Sequence, residues 1–202
     1  MQDEKELLSR LKAGDRSAFA EMVEQHSPRI FNLALRMMED PAEAEEILQE
    51  TFLRAAKHIR NFRGQSSLGT WLYRIGTNLA LMRLRRKRPV NISLDDADEE
   101  LIAHQLRAED WSDRPESELL NREARAEMQR AILTLPDGLR IVFVLRDIEG
   151  LSTAEAADVL NLSISAVKSR LLRARLALRN ELSRYFSERA TTRRRADNGT
   201  LA

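Results

Sequence analysis

From Lys5 to Leu11, and again from Ser17 to Met38, apolar residues return every three or four positions, and Phe19, Met22, Val23, Ile30, Leu33, Ala34 and Met37 fall on one stripe. Two helices with one buried face are predicted there. At Asp40-Pro41-Ala42-Glu43 the Asp can cap a helix, the Pro suits its first position, and the Glu three residues on completes a capping-box pattern. That helix is predicted to run to about Ile59. Asn61 to Gly69 reads as a loop, after which Thr70 is a suitable cap for a helix turning Trp71, Leu72, Ile75, Leu79 and Met82 inward. It ends in the basic run Arg83-Leu84-Arg85-Arg86-Lys87-Arg88, closed by Pro89.

Helical periodicity resumes near Leu119 and continues through Ala131, Ile132 and Leu135 to Pro136-Asp137-Gly138. The segment Ile141-Val142-Phe143-Val144-Leu145 is short and β-branched enough to mimic a buried strand, but its helical neighbours assign it to a helix. Beyond it Thr153 is the expected cap for a helix over 154–160. Asn161-Leu162-Ser163 is the expected turn, and Ser165 the start of a long basic helix to about Tyr185. No stretch alternates as a half-buried strand would, so the fold class is all-α.

A chain of 202 residues accommodates two small domains, since one core organises about 100 to 150 residues. The 33 Lys and Arg nearly cancel the 32 Asp and Glu, leaving +1, so the placement of charge matters more than its total. Between 91 and 118 ten acidic residues face only Arg107 and Arg114, which marks an acidic linker, with a short helix conceivable from Glu99 to Ala108. The expected organisation is a helical domain over 1–88, a linker over 89–118, and a second helical domain over 119–186. A polar tail over 187–202, containing Arg193-Arg194-Arg195, is expected to be disordered.

With no Cys, three scattered His (His26, His58 and His104) and no Gly-rich phosphate loop, the chain offers no catalytic constellation, and neither a metal site nor a cofactor is expected. The charged N-terminus lacks the apolar core of a secretion signal, and no apolar run approaches the roughly 18 residues a membrane span needs. A soluble, cytoplasmic protein is expected.

Three segments carry chemistry. From Leu151 to Leu178 the apolar positions Ala157, Leu160, Leu162, Ile164, Val167 and Leu171 are spaced as two helices closing across a short turn, the geometry of a helix-turn-helix. If Val167, Leu171, Ala174 and Leu178 face the core, then Ser165, Lys168, Ser169, Leu172 and Arg173 project outward, as they would toward a major groove. Arg170, Arg175 and Arg179 are placed to hold phosphates. The loop from Arg63 to Gly69, with Trp71, Tyr73, Arg74 and Asn78, has the aromatic surface, cations and amide edges of a single-strand site. Glu43, Glu46 and Glu50, with Gln49 and Phe52, make an acidic face suited to a basic partner helix. Spacing alone leaves several readings open: a helical hairpin with a solvated basic face, a DNA-binding regulator using its C-terminal half, or an adaptor for a larger machine.

Taken together in order, these segments resemble a known family. Asp40-Pro41-Ala42-Glu43-Ala44-Glu45-Glu46-Ile47-Leu48-Gln49-Glu50-Thr51-Phe52 is similar to the polymerase-gripping helix of the extracytoplasmic-function sigma factors, the compact group of the sigma-70 family. Asn61-Phe62-Arg63-Gly64, Thr70-Trp71-Leu72-Tyr73-Arg74-Ile75 and Asn78 resemble its promoter-melting loop and helix. Leu135-Pro136, Glu149-Gly150-Leu151-Ser152 and Val167 to Arg175 resemble its second DNA-binding domain.

The resemblance implies core RNA polymerase as partner, through the clamp of its largest subunit and the flap of the second largest. Promoter DNA and an anti-sigma factor are the other implied partners. Polymerase binding is expected at Glu43, Glu46, Ile47, Gln49, Glu50, Phe52 and Leu53. Reading and melting of the minus-ten element are expected at Arg63, Gly64, Gln65, Ser66, Ser67, Leu68, Tyr73, Arg74, Asn78, Arg85 and Arg86. Reading of the minus-thirty-five element is expected at Ser165, Lys168, Ser169, Arg170, Leu172, Arg173 and Arg175. The linker is expected to follow the path that nascent RNA would otherwise take. Two departures stand out: Met82 occupies a position where many relatives have Asp, and Leu172 one where an aromatic is common.

Overall fold

Two aspartates begin the helices that organise the first half. Asp15 accepts from the Ser17 N–H at 2.8 Å, and Asp40 accepts from the Ala42 N–H at 2.8 Å, with Pro41 following it, so the first-turn donors that a helix cannot satisfy internally find partners. The computed structural model describes residues 2–87 and 118–198, with side chains described for 4–87 and 126–185. Among the described residues every regular element is helical. The order is α1 (Gln2–Ala13), α2 (Arg16–Met38), α3 (Pro41–His58), a tighter turn (Ile59–Asn61) and α4 (Leu68–Lys87), then α5 (Glu118–Thr134), α6 (Asp137–Phe143), a wider turn (Val144–Ile148), α7 (Thr153–Leu160) and α8 (Ile164–Asn198). The all-α class read from the sequence is what folds. The acidic linker, its conceivable helix, Arg88 and His104 lie outside the described residues.

In the first domain α2, α3 and α4 pack on one another, with α1 laid against α2. Met22, Ile30, Leu33, Met37, Ile47 and Leu72 are fully buried where they meet, and Phe19 and Val23 flank them. Met22, Ile30, Leu33 and Met37 belong to the predicted stripe, because positions three and four apart share a helix face. Gly76 lets α4 approach the other two helices: a Cβ there would meet the Thr51 hydroxyl at 3.4 Å and the Ile30 side chain at 3.6 Å.

In the second domain Val142, Val144, Leu145, Val159 and Val167 close a smaller core, and Leu171, Ala174 and Leu178 continue it along α8. The β-branched run 141–145 is helical, as its neighbours implied, but the helix widens after Phe143.

Several expected boundaries shift. Ser67 rather than Thr70 caps α4, its hydroxyl accepting from the Thr70 N–H at 3.1 Å, and Thr70 is buried inside the helix. Ser152 rather than Thr153 caps α7, in a full capping box with Glu155. Ser163 rather than Ser165 caps α8, accepting from the Ala166 N–H at 3.1 Å, and that helix continues to Asn198 past Tyr185, where its end was expected. Met82 and Ile164, expected inward, face solvent at 36% and 51% exposure.

The two domains touch. Arg140, from α6, is only 2% exposed, and its guanidinium donates to the Leu133 and Leu135 carbonyls of its own domain at 2.5 and 3.1 Å. It also donates to the Met37 carbonyl in the last turn of α2, at 3.1 Å, where helix carbonyls lack internal partners. Glu39, the left-handed residue ending α2, lies 3.6 Å from the same guanidinium. The buried apolar residues of both domains form one continuous cluster.

Candidate nucleic-acid and polymerase interfaces

The outward stripe of α3 is built by what its other face buries. Ala44, Ile47, Thr51, Phe52 and Ala55 point into the core, so Ile47 and Phe52, expected at the polymerase interface, are buried in packing instead of standing on the outward face. Glu46, Gln49, Glu50 and Leu53 follow one another along the opposite side, and Leu53 leaves 56% of its surface in water. An exposed Leu flanked by acids is an apolar anchor inside a polar rim, the anatomy of a docking patch. The Arg54 guanidinium, 2.7 Å away, donates to the Glu50 carboxylate and holds it below the usual carboxylate range. Two of the acids also reach toward α4: Glu46 pairs with Arg83 at 2.6 Å, and Glu43 with Lys87 at 2.6 Å.

The loop before α4 is held from three sides. Phe62 is buried and stacks on Trp71 with ring centroids 4.9 Å apart. Gly64 has φ +70°, a left-handed conformation that a side chain would strain, with the Leu8 side chain 4.0 Å from where its Cβ would be. Glu4 of α1 accepts from the Leu68 N–H at 2.5 Å, a cap supplied from 64 residues away. Arg63, Gly64, Gln65 and Ser67 are exposed and Ser66 is half-buried, while Leu68 is core. A Cβ on Gly69 would stand 3.4 Å from the His26 imidazole, whose pKa is lowered by burial first and by the nearby Arg29 second.

On α4 itself Asn78, Arg85 and Arg86 are exposed, the adjacent arginines about two turns beyond Asn78. Tyr73 is not: it is buried, and its hydroxyl donates to Glu149 of the second domain at 2.5 Å while Arg29 lies over its ring at 5.4 Å. Burial, with the Glu149 carboxylate second, pushes the phenol pKa up, so Tyr73 remains a donor. Arg74 is paired with Asp158 of α7. The structure thus brings the loop, Asn78, Arg85 and Arg86 onto an open surface and takes Tyr73 and Arg74 into contact with the other domain.

On α8 the division follows the predicted period. Val167, Leu171, Ala174 and Leu178 are buried; Ser165, Lys168 and Arg175 are exposed; Ser169, Arg170, Leu172 and Arg173 are half-buried. Arg175 forms a two-pronged pair with Asp147, both bonds 2.8 Å, which raises the guanidinium pKa and orients it beside the wide turn. α7 and α8 meet across Asn161, whose left-handed φ of 54° makes the turn short. The arrangement is that of a helix-turn-helix whose second helix presents small, apolar and cationic side chains to solvent, the set that reads base edges and holds phosphates.

Among the groups that join the domains, Arg29, Arg140, Glu155 and Asp158 were not singled out from the sequence, and Glu149 stood out only as part of Glu149-Gly150-Leu151-Ser152. An Arg between Leu139 and Ile141, inside an apolar run, was the available signal. No helix among the described residues is long and apolar enough to cross a membrane.

Comparison with known proteins matches both halves. The family model for Sigma-70 region 2 covers residues 22–90, and that for Sigma-70, region 4 covers residues 125–178. The chain is 37% identical over 181 residues to the ECF RNA polymerase sigma factor SigW of Bacillus subtilis, spanning 88% of this chain and 96% of that protein. It is 34% identical to the RNA polymerase sigma-H factor of Pseudomonas aeruginosa, over 93% and 97% of the two chains. Among solved structures it is similar to CnrH in complex with the cytosolic domain of CnrY, with a TM-score of 0.65 and 26% identity over 89% of this chain and 97% of that one.

Proposed function

The chain belongs to the extracytoplasmic-function sigma factors of the sigma-70 family and directs core RNA polymerase to promoters, and from that premise we propose which of its surfaces does each part of the work. α3 docks on the polymerase clamp through Glu46, Gln49, Glu50 and Leu53, with Glu43 at its edge. Ile47 and Phe52 serve by shaping the helix rather than by touching the partner. The loop over Arg63–Leu68, with Asn78, reads the downstream minus-ten element. Unstacking a base costs a few kcal/mol, and a pocket that binds the extruded base supplies that cost, so reading and melting are coupled. Tyr73 and Arg74 join this surface, and Arg85 and Arg86 hold the phosphates beside it.

α8 reads the upstream element. Ser165, Lys168, Ser169, Leu172 and Arg173 face the groove, Leu172 offering only apolar contact such as with a thymine methyl, while Arg170 and Arg175 secure the backbone. The observation that carries this reading is the division of α8, with Val167, Leu171, Ala174 and Leu178 buried and Ser165 and Lys168 open to solvent.

The factor works in the cytoplasm, where polymerase and chromosomal DNA are, and the chemistry of transcription belongs to the polymerase. Control by an anti-sigma factor is part of the same reading, supported by the likeness to CnrH, solved with the cytosolic domain of CnrY. Run-off transcription with core polymerase and a promoter library tests the proposal. Initiation from a discrete set of promoters, dependent on this chain, is expected. Specific duplex binding by the chain alone, with no association to polymerase, would instead identify a free-standing DNA-binding regulator.

A further inference from the structure

α1 precedes the residues 22–90 matched by the Sigma-70 region 2 model, and none of the surfaces assigned above includes it. Its seat on the domain is apolar, since Leu7 and Leu11 are buried in the core and hold the helix against α2. Glu4 and Leu8, four positions apart, share another face of α1. Both meet the loop that leads into α4. The Glu4 carboxylate accepts from the Leu68 N–H at 2.5 Å, and the Leu8 side chain lies 4.0 Å from where a Cβ on Gly64 would stand.

The loop over 63–67 is thereby held at both ends and between them. Phe62, buried and stacked on Trp71, fixes the end that leaves the tight turn. Glu4 fixes the end that enters α4, and Leu8 lies against the left-handed Gly64. Ser67 uses its hydroxyl on the Thr70 N–H, so the Leu68 N–H, another first-turn donor without a partner inside the helix, depends on Glu4. A carboxylate suits that place twice over. Bonds to an ionised acceptor are stronger than neutral ones, and the start of a helix carries partial positive charge.

We propose that α1 is the rest on which the minus-ten loop is set, with Glu4 a positioning residue that fixes the loop through the Leu68 N–H before DNA arrives, and Leu8 supporting its middle. The proposal rests on the reading of the 63–68 loop as the part that captures an extruded base. A loop already in its binding conformation does not have to be ordered at the moment of capture, so the energy of contact with the base goes to unstacking it. Glu4 acts without touching DNA, because its carboxylate faces the protein's own backbone and would repel a phosphate. Loss of the carboxylate frees the end of the loop. Ordering about one residue anew at each capture then lowers the captured population by about tenfold.

Holoenzyme assembled from core polymerase and the full-length chain, on a promoter selected by the run-off assay, tests this. Glu4→Ala is expected to lower permanganate reactivity of the melted strand, and the preference for the selected downstream element over single-base variants of it, by about tenfold. Association with core polymerase and preference for the upstream element should not change. Glu4→Gln keeps an acceptor of the same reach and should recover part of the loss, whereas Glu4→Asp, one methylene shorter, should not. Arg63→Ala with Gln65→Ala, on the loop itself, should also reduce downstream preference. If that loop variant does so and Glu4→Ala does not, α1 has no positioning role and the loop keeps its reading. If neither does, the loop is not the base reader and the proposal falls with that reading. Loss of upstream preference or of polymerase association in Glu4→Ala, equal to the downstream loss, would mark a general loosening of the domain and overturn the positioning role.

Discussion

α4 and α8 are both basic helices assigned to promoter DNA, yet they stand in different surroundings. α8 keeps its buried and exposed positions apart by helical period alone, and Lys168 and Ser165 look into solvent. α4 is wedged between α2 and α3 on one side and meets the second domain on another, so Tyr73 and Arg74 bond protein where Asn78 and Arg85 do not. A helix at the edge of a small domain displays its surface by default. A helix at the junction of two domains displays only what the junction leaves uncovered.

The largest expected effect breaks the junction at its buried end. Arg140→Ala removes a guanidinium that bonds three carbonyls across two domains, and stability measured by chemical denaturation should fall by about 3 to 5 kcal/mol, the cost of leaving buried partners unpaired. A loss below about 1 kcal/mol would show that the contact with α2 contributes little.

On the open helix, Arg173→Ala should weaken upstream-element recognition by the polymerase complex by about 1 to 3 kcal/mol, measured by competition against altered elements. Its counterpart on α4, Arg86→Ala, should weaken binding to all sequences alike and reduce the salt slope by about one, so equal effects of both variants on random DNA would remove the distinction between the helices. Asn78→Ala should impair melting more than upstream binding. Permanganate reactivity of the opened strand reads this directly, and unchanged reactivity would exclude Asn78 from base reading.

The smallest effect separates the domains by acid. The Asp15 pKa is lowered to about 2, by the Ser17 hydroxyl first and Arg10 second. A carboxylate depressed in the folded state contributes stability above its unfolded value near 3.8 and loses it as pH falls toward about 2. Asp15→Asn should therefore flatten the acid limb of first-domain unfolding between those values, followed by circular dichroism. Glu155 in the second domain is likewise lowered, by the Ser152 N–H first, so Glu155→Gln should flatten the acid limb of that domain instead.

Helical period carried much of the fold, because burying one face of a helix imposes a spacing that needs no partner to be named: Met22, Ile30, Leu33 and Met37 on α2 and Val167, Leu171 and Ala174 on α8 were readable that way. Caps were readable as neighbourhoods but not as residues. At Ser67, Ser152 and Ser163 a second hydroxyl stood one to three positions along, and which one caps depends on where the backbone leaves the extended conformation. Exposure on α3 was only partly readable, because a stretch chosen for its resemblance to a docking helix includes the Ile47 and Phe52 side chains that hold that helix in place.

By itself the sequence determined that this chain makes two helical domains, where each helix turns its apolar face, and which α8 side chains point away from the core, since these follow from local geometry and the cost of exposing apolar surface. Only the tertiary structure decided that Arg140 is buried, that Glu4 caps a helix 64 residues away, and that Glu149 and Asp158 occupy Tyr73 and Arg74. The reason is that charged side chains are written alike whether they face water or a partner. Whether one finds an opposite charge depends on which surfaces the domains press together, a matter no local spacing encodes.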